Sequence, residues 1–82
     1  MTNEMKDKIR KFIVEVCLKN KRTIEDDDSL FDKGIVDSVE LLELVAFLEK
    51  EFGISIVVAD ISVAHFDTVN LIEQYGRKKL RS

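Results

Sequence analysis

Apolar residues recur at helical spacing near the start of the chain. They follow one another at intervals of four, three, one and three residues, which places them on one face of an α-helix while lysine and arginine occupy the other faces. The members of this stripe are Met5, Ile9, Phe12, Ile13 and Val16. The pattern predicts a first helix from about Asn3 to Leu18.

Residues 23–36 show no sustained periodicity and predict a long loop. Three consecutive aspartates lie at positions 26–28, and Gly34 is a residue typical of turns. Apolar residues interleaved with these indicate that the loop packs onto the core. They are Leu30, Phe31, Ile35 and Val36. We therefore expect an ordered loop between the first and second helices.

The clearest helix follows this loop. Asp37 and Glu40 are spaced as in a capping box, in which each side chain accepts a hydrogen bond from the other residue's backbone N–H. Gly53 provides the left-handed residue that commonly ends a helix. The apolar stripe between these ends consists of Leu41, Leu44, Val45, Leu48 and Phe52.

A second set of apolar residues falls on the charged side of this helix. Val39, Ala46 and Phe47 lie on or beside the side that carries most of its acidic residues. Such positions predict apolar surface next to charge. For Phe47 two interpretations stay open, which are cover by a neighbouring loop and contact with a partner.

The last third of the chain predicts an extended connector and two further helices. Residues 54–58 are rich in β-branched residues, but a lone strand would leave its backbone groups without partners, so we expect a connector. A short helical turn is expected around Ala59–Ala64. Asp67 or Thr68 then caps a last helix, which ends before Gly76 and a basic tail. Together these elements predict an all-α fold, a small four-helix bundle with three longer helices and a short third one.

Length and composition fit one small domain. The 82 residues are 45% hydrophobic and 35% charged, which is enough for one core and too little for two, so we expect a single domain over residues 1–82. No stretch approaches the roughly 18 apolar residues of a membrane span, and the first residues carry no apolar signal segment. The single cysteine, Cys17, cannot form an intramolecular disulfide. We expect a cytoplasmic, monomeric protein without membrane contact.

Charge is segregated along the chain. Most of the 16 acidic residues lie at positions 25–51, whereas the 13 basic residues concentrate toward the two ends. An acidic block repels nucleic-acid phosphates and attracts cationic protein surfaces. The simpler interpretation, a solvated face that keeps a small domain soluble, stays open on charge alone. No nucleic-acid partner is expected.

No set of residues in the sequence points to catalysis or to a bound metal. Cys17 and His65 are the single members of their kinds and lie far apart in sequence, which is weak support for a nucleophile and its base. The acidic run matches a calcium-binding loop at Asp26 and Asp28, but the glycine required at the sixth position would be Phe31. We therefore expect a protein that is not an enzyme and holds no metal ion.

What remains is a serine at the start of the acidic helix. By itself, the pair Asp37-Ser38 is explained by helix capping. The arrangement around it resembles the acyl carrier protein family, which includes peptidyl and D-alanyl carriers: a helix, a long loop, Asp-Ser and an apolar residue that open an acidic helix, a short third helix and a last one. The resemblance covers about residues 9–75. Its most specific segments are SLF at 29–31, GIVDS at 34–38, EL at 43–44, LEKEFGI at 48–54 and FDTV at 66–69.

The resemblance implies a covalent cofactor and a set of partner enzymes. In this family, the serine that matches Ser38 receives 4'-phosphopantetheine from coenzyme A through a phosphopantetheinyl transferase, and the arm then carries acyl or aminoacyl groups as thioesters. Acyl or aminoacyl ligases and synthases with basic docking patches are the other partners that the resemblance implies. The residues expected to contact partners are Asp37, Val39, Glu40, Glu43, Ala46 and Glu49.

Three functions are compatible with the sequence. The main expectation is an acyl carrier protein of fatty acid, polyketide or related biosynthesis. The first alternative is an aminoacyl, peptidyl or D-alanyl carrier, and the second is a small helical interaction module whose Ser38 is an unmodified cap. Val39 stands where fatty acid carriers most often have leucine, and Lys50 interrupts an acidic stretch of their second helix. Residues 66–69 and Phe47 look closer to aminoacyl or specialised carriers.

Overall fold

The structure, a computed structural model, describes residues 4–80, and these form helices and loops without a β-strand. In chain order the helices are α1 (Glu4–Phe12), α2 (Ser38–Phe52), α3 (Val63–Phe66) and α4 (Val69–Leu80). The predicted all-α bundle with a short third helix is confirmed. The predicted start of the first helix, Asn3, lies outside the described residues. The short turn expected around Ala59–Ala64 is divided into a 3₁₀ turn, Val58–Asp60, and the separate helix α3.

The segment after α1 is not a regular α-helix. Residues Ile13–Cys17 form a π-helical turn, in which the N–H of Leu18 donates to the carbonyl of Ile13 at 3.0 Å. Lys19 and Asn20 then adopt left-handed backbone conformations, with φ of 56° and 62°. The prediction of one continuous α-helix to Leu18 is therefore wrong for its last turns. The π-helical turn changes which residues face the core: Val14, Cys17 and Leu18 pack against it, whereas the predicted stripe continued to Val16.

Helix α2 has the ends that the sequence predicts. Asp37 accepts the N–H of Glu40 at 2.8 Å, and Glu40 accepts the N–H of Asp37 at 3.1 Å. This confirms the capping box, which contributes about 1 kcal/mol to a helix of this kind. Gly53 ends the helix with φ of 64°. Between these ends, Leu44 and Leu48 are fully buried.

One hydrophobic core joins the helices and the long loop. Its largest fully buried side chains are Phe66, Ile9, Ile13, Leu30, Leu44, Leu48, Ile72 and Val69. Leu30, from the loop, is thus buried as completely as the residues of the long helices. Ile35 and Val36 are also buried, and Phe31 is half-buried against the core. The prediction that the loop packs onto the core is confirmed.

The connector between α2 and the 3₁₀ turn is extended, as predicted. The carboxylate of Glu49 accepts the N–H of Ile56 at 2.9 Å and so provides a partner for its backbone. Tyr75 donates its hydroxyl proton to Asp60 at 2.8 Å, which ties the end of the 3₁₀ turn to α4. Burial, followed by the hydrogen bond to Asp60, raises the pKa of Tyr75 to about 12. The hydroxyl therefore remains a donor at physiological pH.

Helix α4 continues past Gly76, so the prediction that it ends there is wrong. Gly76 lies inside the helix and against α1, where a Cβ atom would come within 3.0 Å of the sulfur of Met5. The glycine allows two helices to approach closely, and it does not end the helix. At the other end, the hydroxyl of Thr68 accepts the N–H of Leu71 at 3.0 Å. Of the two predicted caps, Asp67 and Thr68, the structure assigns this one to Thr68.

Asp67 instead holds the long loop against the junction of α3 and α4. Its backbone carbonyl accepts the N–H of Leu30 at 2.7 Å. Its carboxylate accepts the hydroxyl proton of Ser29 at 2.8 Å and the N–H of Phe31 at 3.3 Å. Three consecutive loop residues are thus fixed by one aspartate. Because the same loop leads to Ser38, these contacts help to set the position of that serine.

We expect Asp67→Ala to lower the free energy of unfolding by about 1–3 kcal/mol, because it leaves the part-buried Ser29 hydroxyl and Phe31 N–H without their acceptor. Urea denaturation followed by circular dichroism measures the change. Asp32→Ala is the matched control, since its side chain is exposed on the same loop, and it should change stability by less than about 0.5 kcal/mol. Equal losses in the two variants would show that the Asp67 contacts do not stabilise the loop.

Candidate functional site

Ser38 is the first residue of α2, and its side chain is exposed. The cap of the helix is Asp37, whose carboxylate accepts the N–H of Glu40. Capping therefore does not require the Ser38 hydroxyl. Among residues 4–80 this hydroxyl forms no hydrogen bond. The hydroxyl is therefore accessible from solvent.

The position of Ser38 also suits a phosphate ester. The N-terminus of a helix carries the positive end of the helix dipole and backbone N–H groups that point outward. An exposed anion at such a position is stabilised by about 0.3–1 kcal/mol. The residues present therefore fit a covalently attached phosphodiester at Ser38.

The predicted contact residues Val39, Glu43 and Ala46 are exposed on one face of α2 that starts beside Ser38. Val39 has an exposed fraction of 64%. Leu42, which the sequence analysis did not single out, lies on the same face with an exposed fraction of 60%. Its spacing of three from Val39 and four from Ala46 was the signal that could have found it. The face is therefore more apolar than predicted.

Two other predicted contact residues also form hydrogen bonds inside the domain. Glu40 is part of the capping box, and Glu49 holds the backbone of Ile56. Both are half-buried, whereas Asp37 and Glu43 are exposed. The exposed acidic residues nearest to Ser38 in α2 and its cap are therefore Asp37 and Glu43.

Phe47 is covered by helix α1. Its ring stacks on that of Phe12 with 4.4 Å between the centroids, and the edge of Phe52 lies at 6.2 Å. Neither of the two interpretations from the sequence describes this contact, since the cover is a helix and not a loop. Phe47 thus joins the first two helices.

Cys17 and His65 both have packing contacts. Cys17 is half-buried, and its burial, followed by the nearby carboxylates of Glu40 and Glu43, raises the pKa of its thiol to about 11. A neutral thiol is a poor nucleophile at physiological pH. The ring of His65 lies 5.0 Å from that of Tyr75.

The described part of the chain carries neither a cluster of metal ligands nor a membrane-spanning helix. Within residues 4–80, no three His, Cys, Asp or Glu side chains are grouped so that they could hold a metal ion. In the same range, no helix is both long enough and apolar enough to cross a bilayer.

Comparison with known proteins identifies the class to which this fold and site belong. Residues 7–75 match the PP-binding family, which is described as the phosphopantetheine attachment site. The chain belongs to this family of phosphopantetheine carrier proteins. Its cofactor is covalently attached 4'-phosphopantetheine.

Several individual proteins are similar to this chain over most of its length. The chain is 32% identical over 79 residues to the D-alanyl carrier protein of Streptococcus mutans serotype c, which covers 96% of this chain and 98% of that protein. It is 30% identical over 77 residues to the D-alanyl carrier protein of Bacillus pumilus, with coverage of 93% and 99%. It is 32% identical over 69 residues to the D-alanyl carrier protein of Streptococcus suis, with coverage of 84% and 86%.

Proposed function

We propose that Ser38 is the residue that carries 4'-phosphopantetheine. The observation that supports this most directly is its exposed hydroxyl, which is free of hydrogen bonds within residues 4–80 and stands at the start of α2. A phosphopantetheinyl transferase supplies the base and the metal ion, so the chain has to provide only an accessible oxygen and a helix end that favours phosphate. The attached group supplies a thiol on a flexible arm, which holds the cargo as a thioester.

The exposed face of α2 is the proposed contact surface for partner enzymes. Its acidic residues would meet lysine and arginine around the entrance of a partner, and its apolar residues would add a small dry contact. The residues proposed for this role are Asp37, Val39, Glu40, Glu43, Ala46 and Glu49, together with Leu42. A contact of this size is expected to form and separate quickly, as transfer between successive enzymes requires.

The proposed cargo is a D-alanyl group. Relatives named D-alanyl carrier protein match over nearly the whole length of this chain and of their own chains. The main expectation from the sequence, an acyl carrier of fatty acid biosynthesis, has less support than this alternative. An arm at the end of a helix would present the D-alanyl thioester to the next enzyme at high effective concentration.

The acyl group on the native protein tests this proposal. We expect the protein purified from the cells that make it to release alanine hydroxamate of D configuration when it is treated with hydroxylamine, which cleaves thioesters. Chiral chromatography with mass spectrometry identifies the product. Protein carrying the Ser38→Ala substitution is the control and should release none. Release of a fatty acyl hydroxamate would contradict the proposed cargo while leaving the proposed attachment site in place.

A further inference from the structure

An open groove lies between the end of the π-helical turn and the loop that leads to Ser38. Its volume is about 370 Å³. Four of its lining residues are cationic, and their side chains are exposed: Lys19, Lys21, Arg22 and Lys33. Cys17 and Ile35 line the same groove. In a chain whose net charge is -3, this is a local concentration of positive charge.

These cations differ in whether an acidic residue of the domain forms an ion pair with them. Lys33 forms an ion pair with Asp28 at 3.0 Å. Within residues 4–80, Lys19 and Lys21 form no ion pair, and Arg22 acts on Asp28 only through a longer-range charge interaction. The groove therefore presents positive charge that the described part of the domain does not neutralise.

The backbone holds this charge in a defined place. Lys19 and Asn20 are consecutive non-glycine residues in the left-handed region, which costs free energy that the surrounding structure must offset. Hydrogen bonds do so at both sides of the turn: Asn20 donates its N–H to Val14 at 2.9 Å, and Lys21 donates its N–H to Leu18 at 3.0 Å. The turn that carries Lys19 and Lys21 is therefore held by backbone hydrogen bonds within the domain.

The groove is lined by residues of the loop that ends at Ser38, where the acidic helix α2 begins. Lys33 and Ile35 lie five and three residues before Ser38. Cys17 lines the groove as well, and the carboxylates of Glu40, Glu43 and Asp37 raise the pKa of its thiol more than Lys19 lowers it. Positive charge in the groove and negative charge at the start of α2 thus lie close to each other and to the loop that ends at Ser38.

We propose that the enzyme that modifies Ser38 binds the carrier through two patches of opposite sign, with acidic residues of the enzyme against Lys19, Lys21 and Arg22 and basic residues against Asp37 and Glu43. An acidic helix alone leaves the carrier free to turn about the contact. A second patch of opposite sign fixes the direction in which the hydroxyl enters, because every wrong orientation brings like charges together. This inference rests on the proposed attachment of phosphopantetheine to Ser38.

The inference is tested by whether a double variant is modified more slowly or faster than the wild type. The double variant Lys21→Glu/Arg22→Glu makes the carrier more acidic by two charges at each position. If the transferase recognised only the acidic helix, this variant would be attracted more strongly and would be modified faster. Binding through two patches predicts the reverse, a fall of roughly tenfold in kcat/KM at low salt that becomes smaller as salt screens the contact. The fall in kcat/KM should come mainly from a higher KM, because the second patch contributes to binding of the carrier.

The measurement uses the full-length apo protein, coenzyme A, Mg²⁺ and the transferase of the same organism. The matched control, Lys11→Glu/Lys79→Glu, has the same net charge as the double variant, and neither of its residues lines the groove. We expect it to be modified at the wild-type rate or faster. Circular dichroism establishes that both variants are folded, and Lys21→Glu alone replaces the double variant if that one is not.

A double variant that is modified as fast as the control, or an equal loss in both, would overturn the inference. The inference would also be overturned if the double variant lost binding to vesicles of anionic phospholipid while its rate of modification stayed unchanged. The groove would then bind a phosphate surface and not the enzyme. If the wild-type protein is never modified, the proposed function itself fails, and that result is distinct from a rate that changes with the wrong sign.

Discussion

Replacing Ser38 with alanine is expected to abolish the addition of phosphopantetheine to this protein. In the transfer, the serine oxygen forms a bond to the β-phosphorus of coenzyme A, the bond from that phosphorus to the nucleotide phosphate breaks, and the hydroxyl proton passes to a base of the transferase. Alanine has no oxygen with which to form this bond. Intact mass, measured after incubation with coenzyme A, Mg²⁺ and a broad-specificity transferase, should show one added group on the wild type and none on the variant.

The Ser38→Ala variant should stay folded, so the loss can be assigned to chemistry. The side chain is exposed, the cap of α2 is Asp37, and alanine favours helix, so the stability should change by less than about 0.5 kcal/mol. Ser55→Ala is the matched control, because Ser55 is exposed in the connector after α2, and it should be modified in full. An added group on the Ser38→Ala variant, or an unmodified wild type, would show that the attachment site is wrong.

Helix α2 and its serine could be predicted because the signals are local. The capping box of Asp37 and Glu40, the apolar stripe and the stop at Gly53 lie within a few residues of the backbone groups that they affect. Each of them favours the same helix over the same residues, which makes a sequence pattern reliable. Exposure of Ser38 could not be predicted from the stripe, because Ser38 lies three and seven residues before Leu41 and Val45 and so close to the same face of the helix.

Gly76 shows why other boundaries could not be predicted. Gly53 and Gly76 are both glycines near the end of a helical pattern. Gly53 has φ of 64° and ends α2, whereas Gly76 packs inside α4. The difference is a contact with the Met5 side chain on another helix. A single sequence shows spacing along the chain, and it does not show which distant residue will lie against a glycine.

The same limit applies to Asp67. Its sequence position next to Thr68 made both residues equally good caps, and the choice between them depends on Ser29 and Phe31, which lie far away in the chain. Leu42 is a different case, because its exposure could have been inferred from the helical positions of Val39 and Ala46. Sequence reasoning therefore missed two features: the long-range contacts of Asp67, and Leu42 as a further exposed residue on the face of α2.

Phe66→Ala is expected to lower the free energy of unfolding by about 3–5 kcal/mol. Phe66 is fully buried, it is the only buried residue of α3, and its ring packs 5.4 Å from that of Tyr75. Removing the ring takes apolar surface from the core and leaves a cavity. Helix α3 has no second buried side chain that could move into this cavity. A domain of this size has a total stability of about 4–12 kcal/mol, so urea denaturation should show a much lower midpoint.

Phe47→Ala makes the same chemical change at a half-buried ring that stacks on Phe12, and it should lower the free energy of unfolding by clearly less.

The loss of stability in Phe66→Ala should also affect the loop that leads to Ser38. Asp67 follows Phe66 directly, and its carbonyl accepts the N–H of Leu30 at 2.7 Å. Hydrogen exchange at the Leu30 amide should then be faster in Phe66→Ala by about two to four orders of magnitude, matching the lost free energy. An equal cost at Phe47 would show that burial of Phe66 is not what fixes α3. A Leu30 amide that exchanges rapidly in the wild type would show that the loop opens independently of the core.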